Sequence, residues 1–147
     1  EELASWKMFM FRVDFLETVF SADVPFVLSG VHRSYQLWDH EQSPPREVWS
    51  TIQRNDGIVY SQSGAAMTHD GVRLLLVSGE DAEPRIHLFN VQIDQELMQL
   101  QGHRSEIVST AITQDGKYAV SGSRLGVLNL WRMPVYQILG HEQDSDN

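Results

Sequence analysis

The sequence predicts an all-β fold of repeated antiparallel units. Three observations carry that expectation: the 147-residue chain falls into register with itself three times, each unit is made of short runs rich in Val, Ile, Leu and aromatic residues, and turn residues separate the runs at matching places. The first unit reads VFSADVPFVLSG and then YQLWD, over Val19 to Gly30 and Tyr35 to Asp39. The second reads AAMTHDGVRLLLVSG and RIHLFN, over Ala65 to Gly79 and Arg85 to Asn90, and the third TAITQDGKYAVSG and VLNLWR, over Thr110 to Gly122 and Val127 to Arg132. The aligned aspartates Asp23, Asp70 and Asp115 are 47 and 45 residues apart. The Ser-Gly pairs that begin at Ser29, Ser78 and Ser121 are 49 and 43 apart, and the aromatic anchors Trp38, Phe89 and Trp131 are 51 and 42 apart. Three markers with one period give each local motif a structural meaning before any other.

Taken in chain order, residues 1–15 contain the aromatic and Met-rich run Trp6 to Phe11, which suits the outer strand of a preceding unit. Residues 16–53 form the first unit, with Glu47 to Gln53 as its fourth strand, and residues 54–100 the second, with Glu96 to Leu100 as its fourth. Residues 101–139 form the third. There Ile107 to Ile112 is one strand, Gln114-Asp115-Gly116 a tight turn and Lys117 to Ser121 the next strand; Arg124 to Gly126 turn into Val127 to Trp131, and Val135 to Leu139 is the fourth strand. Glycine reaches positive φ without Cβ strain and Asp accepts backbone hydrogen bonds, so Asp-Gly suits such a turn. Asp23-Val24 lacks the glycine, and its turn is expected to take another form. Ser43-Pro44-Pro45 and Glu80 to Pro84 fit connecting loops, where proline costs no ladder hydrogen bond.

Gly102-His103 precedes the third unit and Gly140-His141 follows it 38 residues on. With its Asp-Gly turn, Ser-Gly strand and terminal Trp, the segment from Gly102 to His141 resembles a WD40 repeat, and Trp38-Asp39 is the dipeptide that names that family. The resemblance covers Val19 to His141. It implies four-stranded antiparallel blades, the second degenerate, in a partial or incomplete β-propeller, with residues 140–147 starting a further repeat before an acidic polar end. It also implies a bracing network of His, Ser, Asp and Trp. Carried over, the network uses His103, Ser121 and Trp131 in the third unit, Ser78 and Phe89 in the second, with Asp81 near the Asp position, and Ser29 and Trp38 in the first, with Arg33 near it. The aspartate position of the third unit falls at Leu125. A blade spans about 40–45 residues and a ring usually needs at least four, so the resemblance implies that further blades of a parent chain or another subunit close the ring.

Composition narrows the function. Twenty acidic residues against eleven basic ones give a net charge of −9, and Lys7 and Lys117 are the two lysines, so a nucleic-acid backbone is disfavoured as a partner. The absence of cysteine excludes a thiol nucleophile, a disulfide framework and Cys-containing metal sites. Met8 to Phe20 is interrupted by Arg12, Asp14 and Glu17, which suits neither a membrane span nor a signal-peptide core. There is no Asn-x-Ser/Thr acceptor either, so an intracellular protein, cytoplasmic or nuclear, is expected.

Chemistry-bearing patterns fare poorly against structural readings. Ser121 with His103 lacks the Gly-x-Ser-x-Gly elbow of a hydrolase nucleophile. No phosphate loop, dinucleotide fingerprint or His-Glu-x-x-His is present, so no enzyme activity, metal or cofactor is expected. His40-Glu41 points to opposite faces of an extended strand, and His69 reads as a solvated turn residue. The four tryptophans read as packing groups, Trp49 between blades. In propellers of the family resembled, partners dock over the disc opening. The resemblance therefore implies a rim of Arg33, Arg85, Arg104, Glu106 and Arg124, against the alternative of ordinary solvent-facing loops. Arg33 and Arg124 take comparable repeat positions and suit carboxylates or phosphorylated side chains. The function expected is a non-catalytic protein-protein interaction scaffold that binds protein or peptide partners, acidic or phosphorylated ones among them. The alternatives are a propeller segment of a larger enzyme or regulatory protein whose catalytic domain lies elsewhere, and a propeller enzyme using rim histidines and acids.

Overall fold

The computed structural model describes residues 16–21, 23–31, 34–54, 56–61, 64–79 and 83–133. They form three antiparallel sheets in chain order. The first runs β1 (Leu16–Phe20), β2 (Phe26–Val31), β3 (Ser34–Asp39), β4 (Arg46–Ser50), each strand beside the next. The second repeats that order with β5 (Ala66–Met67), β6 (Arg73–Ser78), β7 (Arg85–Asn90) and β8 (Gln95–Gln101). The third contains β9 (Ile107–Ile112), β10 (Tyr118–Ser123) and β11 (Leu128–Arg132). The all-β, antiparallel expectation therefore holds. The strands expected at Trp6 to Phe11 and Val135 to Leu139 lie outside the described residues.

The three units share backbone details that follow from the aligned residues. In the second and third, Thr68 and Thr113 open a turn closed by Gly71 and Gly116 at φ 71° and 72°. Asp70 Oδ1 accepts from the Val72 N–H at 3.0 Å and from Thr68 Oγ1 at 2.7 Å; Asp115 Oδ1 accepts from the Lys117 N–H at 2.9 Å and from Thr113 Oγ1 at 2.7 Å. Those bonds to the ionised form hold the Asp115 carboxyl below the usual range. In the first unit the Asp23 N–H donates instead to the His69 carbonyl at 2.9 Å, and Ser21 Oγ donates to the same carbonyl at 2.6 Å. That glycine-free turn is thus docked on its neighbour. The residue after each aligned dipeptide closes back on the turn before it: His40 N–H to Pro25 O at 2.9 Å, Val91 to Val72 at 2.9 Å and Met133 to Lys117 at 2.7 Å.

One expectation needs correcting. The strand read as Glu47 to Gln53 ends at Ser50, because Ser50 Oγ accepts the Ile52 N–H at 2.9 Å and a 3-10 turn, Ile52–Arg54, takes over. Thr51 there clasps Tyr35, donating its N–H to the Tyr35 carbonyl at 3.0 Å and accepting the Tyr35 N–H on Oγ1 at 2.9 Å.

Two apolar layers hold the sheets together. Leu28, Tyr35, Leu37 and Trp49 of the first sheet pack on Met67, Leu74, Leu76 and Phe89 of the second. On the reverse side of the second sheet, Leu75, Val77, Ile86 and Leu88 pack with Ile107, Ala119 and Met133. Side chains alternate along a strand, so β6 sends Leu74 and Leu76 one way and Leu75 and Val77 the other. A strand buried on both faces reads as a continuous apolar run, and RLLLVS does. Each fully buried Leu or Val contributes about 1.5–3 kcal/mol by area. The first strands of consecutive sheets lie side by side, β5 touching both β1 and β9.

Candidate functional site

β9 is preceded by Gly102-His103, β10 carries Ser121 and β11 carries Trp131. The structure brings the three side chains to one hydroxyl: His103 Nε2 lies 2.6 Å from Ser121 Oγ, and Trp131 Nε1 donates to the same Oγ at 2.8 Å. A Cβ at Gly102 would lie 3.0 Å from Trp131 Cη2, a tight approach that the ring would have to yield to. Leu125, at the aspartate position of the family resembled, sits exposed in the β10–β11 turn, and His103 Nδ1 is buried with no hydrogen-bond partner. Burial pushes the His103 pKa down, so the ring is held neutral. In the first sheet Trp38 Nε1 donates to Ser29 Oγ at 3.0 Å.

The second unit is braced differently. Ser78 Oγ lies 2.6 Å from Nε2 of His87, a β7 residue, and His87 Nδ1 lies 2.5 Å from Glu96 Oε2 on β8. The sequence reading missed His87 and Glu96. The available signal was parity, since His87 is two residues before Phe89 and shares its face. Phe89 has no N–H to give Ser78, and its ring is instead enclosed by Trp49 at 5.2 Å and Tyr60 at 6.2 Å between centroids, with the Arg54 guanidinium 4.9 Å above it. Trp49 therefore lies between the first two sheets, with its Nε1 donating to Asp94 at 2.8 Å. Burial, with Asp56 and Glu96 nearby, raises the Tyr60 pKa and keeps the phenol protonated.

Ser78, His87 and Glu96 have the connectivity of an acyl-transfer relay. Ser78 is buried at the end of β6, and with His87 it lines a recess of about 380 Å³ together with Ile58, Glu83, Arg85 and Gln99. Among the described residues no cluster of three or more His, Asp or Glu could hold a metal ion, and no helix is long and apolar enough to cross a membrane.

The rim residues separate into three groups. Arg33 lies outside the described residues, as do His32, Asp81 and His141. Arg124 is tied to Glu106, its Nη2 2.5 Å from Oε2 and its N–H donating to the Glu106 carbonyl at 2.8 Å. Arg85 and Arg104 line one recess of about 330 Å³, where the loop before β7 meets the β8–β9 connection, together with Glu83, Gln101 and His103. No family model matches the sequence, and no curated protein matches it.

Proposed function

We propose that the chain is a non-catalytic protein-protein interaction scaffold, built from WD40-type blades and forming part of a larger propeller or complex. The observation that carries this reading is a set of equivalent positions. Leu75, Val77, Ile86 and Leu88 of the second sheet are at most 1% exposed because the third sheet covers them. Their equivalents by strand register in the third sheet are Val120, Gly122, Leu128 and Leu130, of which Val120, Leu128 and Leu130 are 37, 76 and 76% exposed. A face built like a buried interface but open to solvent is the mark of a seat for a protein partner. The fanned first strands and the recurring turn geometry favour a further sheet of the same construction as its occupant.

The test is photocrosslinking from a benzoylphenylalanine placed at Leu128 in the full-length protein in cells. Crosslinks to a strand-rich segment, lost in Leu130→Glu while thermal unfolding is unchanged, are expected. Absence of specific crosslinks at this face would sink the reading.

A further inference from the structure

We propose that Ser78 is a base-activated nucleophile, and that the recess it lines takes a short-chain carboxylic ester whose acyl group is transferred to Ser78 Oγ. The site uses no residue of β10 or β11, so it goes beyond the scaffold reading and does not rest on it. The acyl group stays on the chain, and the step is a modification of the scaffold and not a turnover.

Three features set Ser78 apart from the other bracing serines. In the first and third sheets the hydroxyl accepts a tryptophan N–H, from Trp38 or Trp131. Phe89 has no such group, and among the described residues His87 is the hydrogen-bond partner of Ser78 Oγ, at 2.6 Å. The ring of His87 is also oriented from behind. Glu96 Oε2 lies 2.5 Å from Nδ1, and a carboxylate can only accept, so Nδ1 carries the proton and Nε2 of the neutral ring presents its lone pair to the Ser78 O–H. His103, beside Ser121, has no such carboxylate, and its Nδ1 is buried without a partner. Finally, the chain leaves β6 directly after Ser78, at Gly79 with φ 86°, and Ser78 and His87 both line the recess of about 380 Å³. Arg85, the cross-strand partner of Ser78, lines it too. Its Nη1 donates to Gln99 Oε1 at 3.1 Å, and its ion pair with Glu83 is loose at 3.8 Å. A fixed positive charge beside the nucleophile favours the oxyanion as it forms. In the step itself, Ser78 Oγ bonds to the ester carbonyl carbon while its proton passes to His87 Nε2, and Glu96 stabilises the imidazolium. Collapse then breaks the ester C–O bond, and the proton moves from Nε2 to the departing alkoxide, which leaves as an alcohol.

The experiment adds p-nitrophenyl acetate to the full chain and follows acetyl groups, residue by residue, by peptide mass spectrometry. Buried Ser78 is expected to be acetylated at least about tenfold faster than exposed Ser43, an advantage lost in urea. His87→Gln and Glu96→Gln each slow acetylation of Ser78 by at least about tenfold and leave Ser43 unchanged. Glu96 acts through His87, so in Glu96→Gln the loss falls on the saturating rate and not on the ester concentration that gives half of it. Circular dichroism melts check the fold of each variant, and the wild-type map decides even where a variant unfolds. Acetylation of Ser78 no faster than that of Ser43, or a rate unchanged in folded Glu96→Gln, overturns the proposal. Crosslinking at Leu128 reads the scaffold function separately: crosslinks from a chain whose Ser78 is inert leave that function standing and remove the nucleophile.

Discussion

At the scale of single residues, each brace is a serine hydroxyl shared between strands, and the partner of that hydroxyl is what varies. Ser121 takes Trp131 and His103, Ser29 takes Trp38, and Ser78 takes His87. A Cβ at Gly102 would press on the Trp131 ring that reaches Ser121. Gly102→Ala should therefore cost about 1–3 kcal/mol in urea unfolding, and Gly102→Ala combined with Trp131→Phe less than the sum of the single changes. Strict additivity would mean that the ring does not rest on this glycine. His103 adds a pH dependence. Its folded-state pKa lies below the unfolded value, so stability is complete above about pH 6.5 and falls as pH drops through the folded value. Urea midpoints measured from pH 7.5 to 5 should decline in the wild type with a slope that His103→Gln reduces. An unaltered slope would assign the effect to other groups. Ser29 and Ser121 and their Trp anchors were legible from spacing, whereas Ser78 lies two residues beyond the equivalent position, which Leu76 fills. His87 carried only the parity it shares with Phe89, and its partner Glu96 comes from the next strand through a register shift at Leu88 and Phe89.

At the scale of elements, the second and third sheets show how a strand's sequence reports its neighbours. In β6 the run RLLLVS is buried on both faces, whereas in β10 the run YAVSGS alternates between exposed and buried. That difference was present in the sequence, and its meaning became plain only when the packing partners were known. The end of β4 at Ser50 was less legible, since the hydroxyl of Ser50 and the clasp of Thr51 on Tyr35 divert a chain whose composition still suits a strand. The two faces of β6 give a direct expectation. Leu76→Ala opens a cavity against the first sheet and Leu75→Ala one against the third, each costing about 2–5 kcal/mol, while Leu128→Ala costs under about 1 kcal/mol. Denaturant unfolding of the three variants measures this. A large loss from Leu128→Ala would show that the third sheet already has a covering partner within the chain.

At the scale of the whole molecule, net charge and the open face of the third sheet act against one another. At pH 7 a charge of −9 keeps copies apart, and at the sequence pI near 5.0 that repulsion vanishes. Leu128 and Leu130 remain exposed at either pH, since no titration covers them. Light scattering of the chain should accordingly rise as pH falls from 7 toward 5, with added salt at pH 7 moving it the same way by screening. Loss of net charge alone would make any two added acids equally protective. An apolar face makes position matter. Leu128→Glu with Leu130→Glu is therefore expected to suppress association through pH 5, and Gln92→Glu with Gln95→Glu, which adds the same charge at exposed sites of the β7–β8 hairpin, to shift its onset only slightly. Equal protection by the two pairs would assign association to net charge and remove this face as its cause. Protection by the first pair alone identifies the third sheet as the surface through which the molecule continues into a partner.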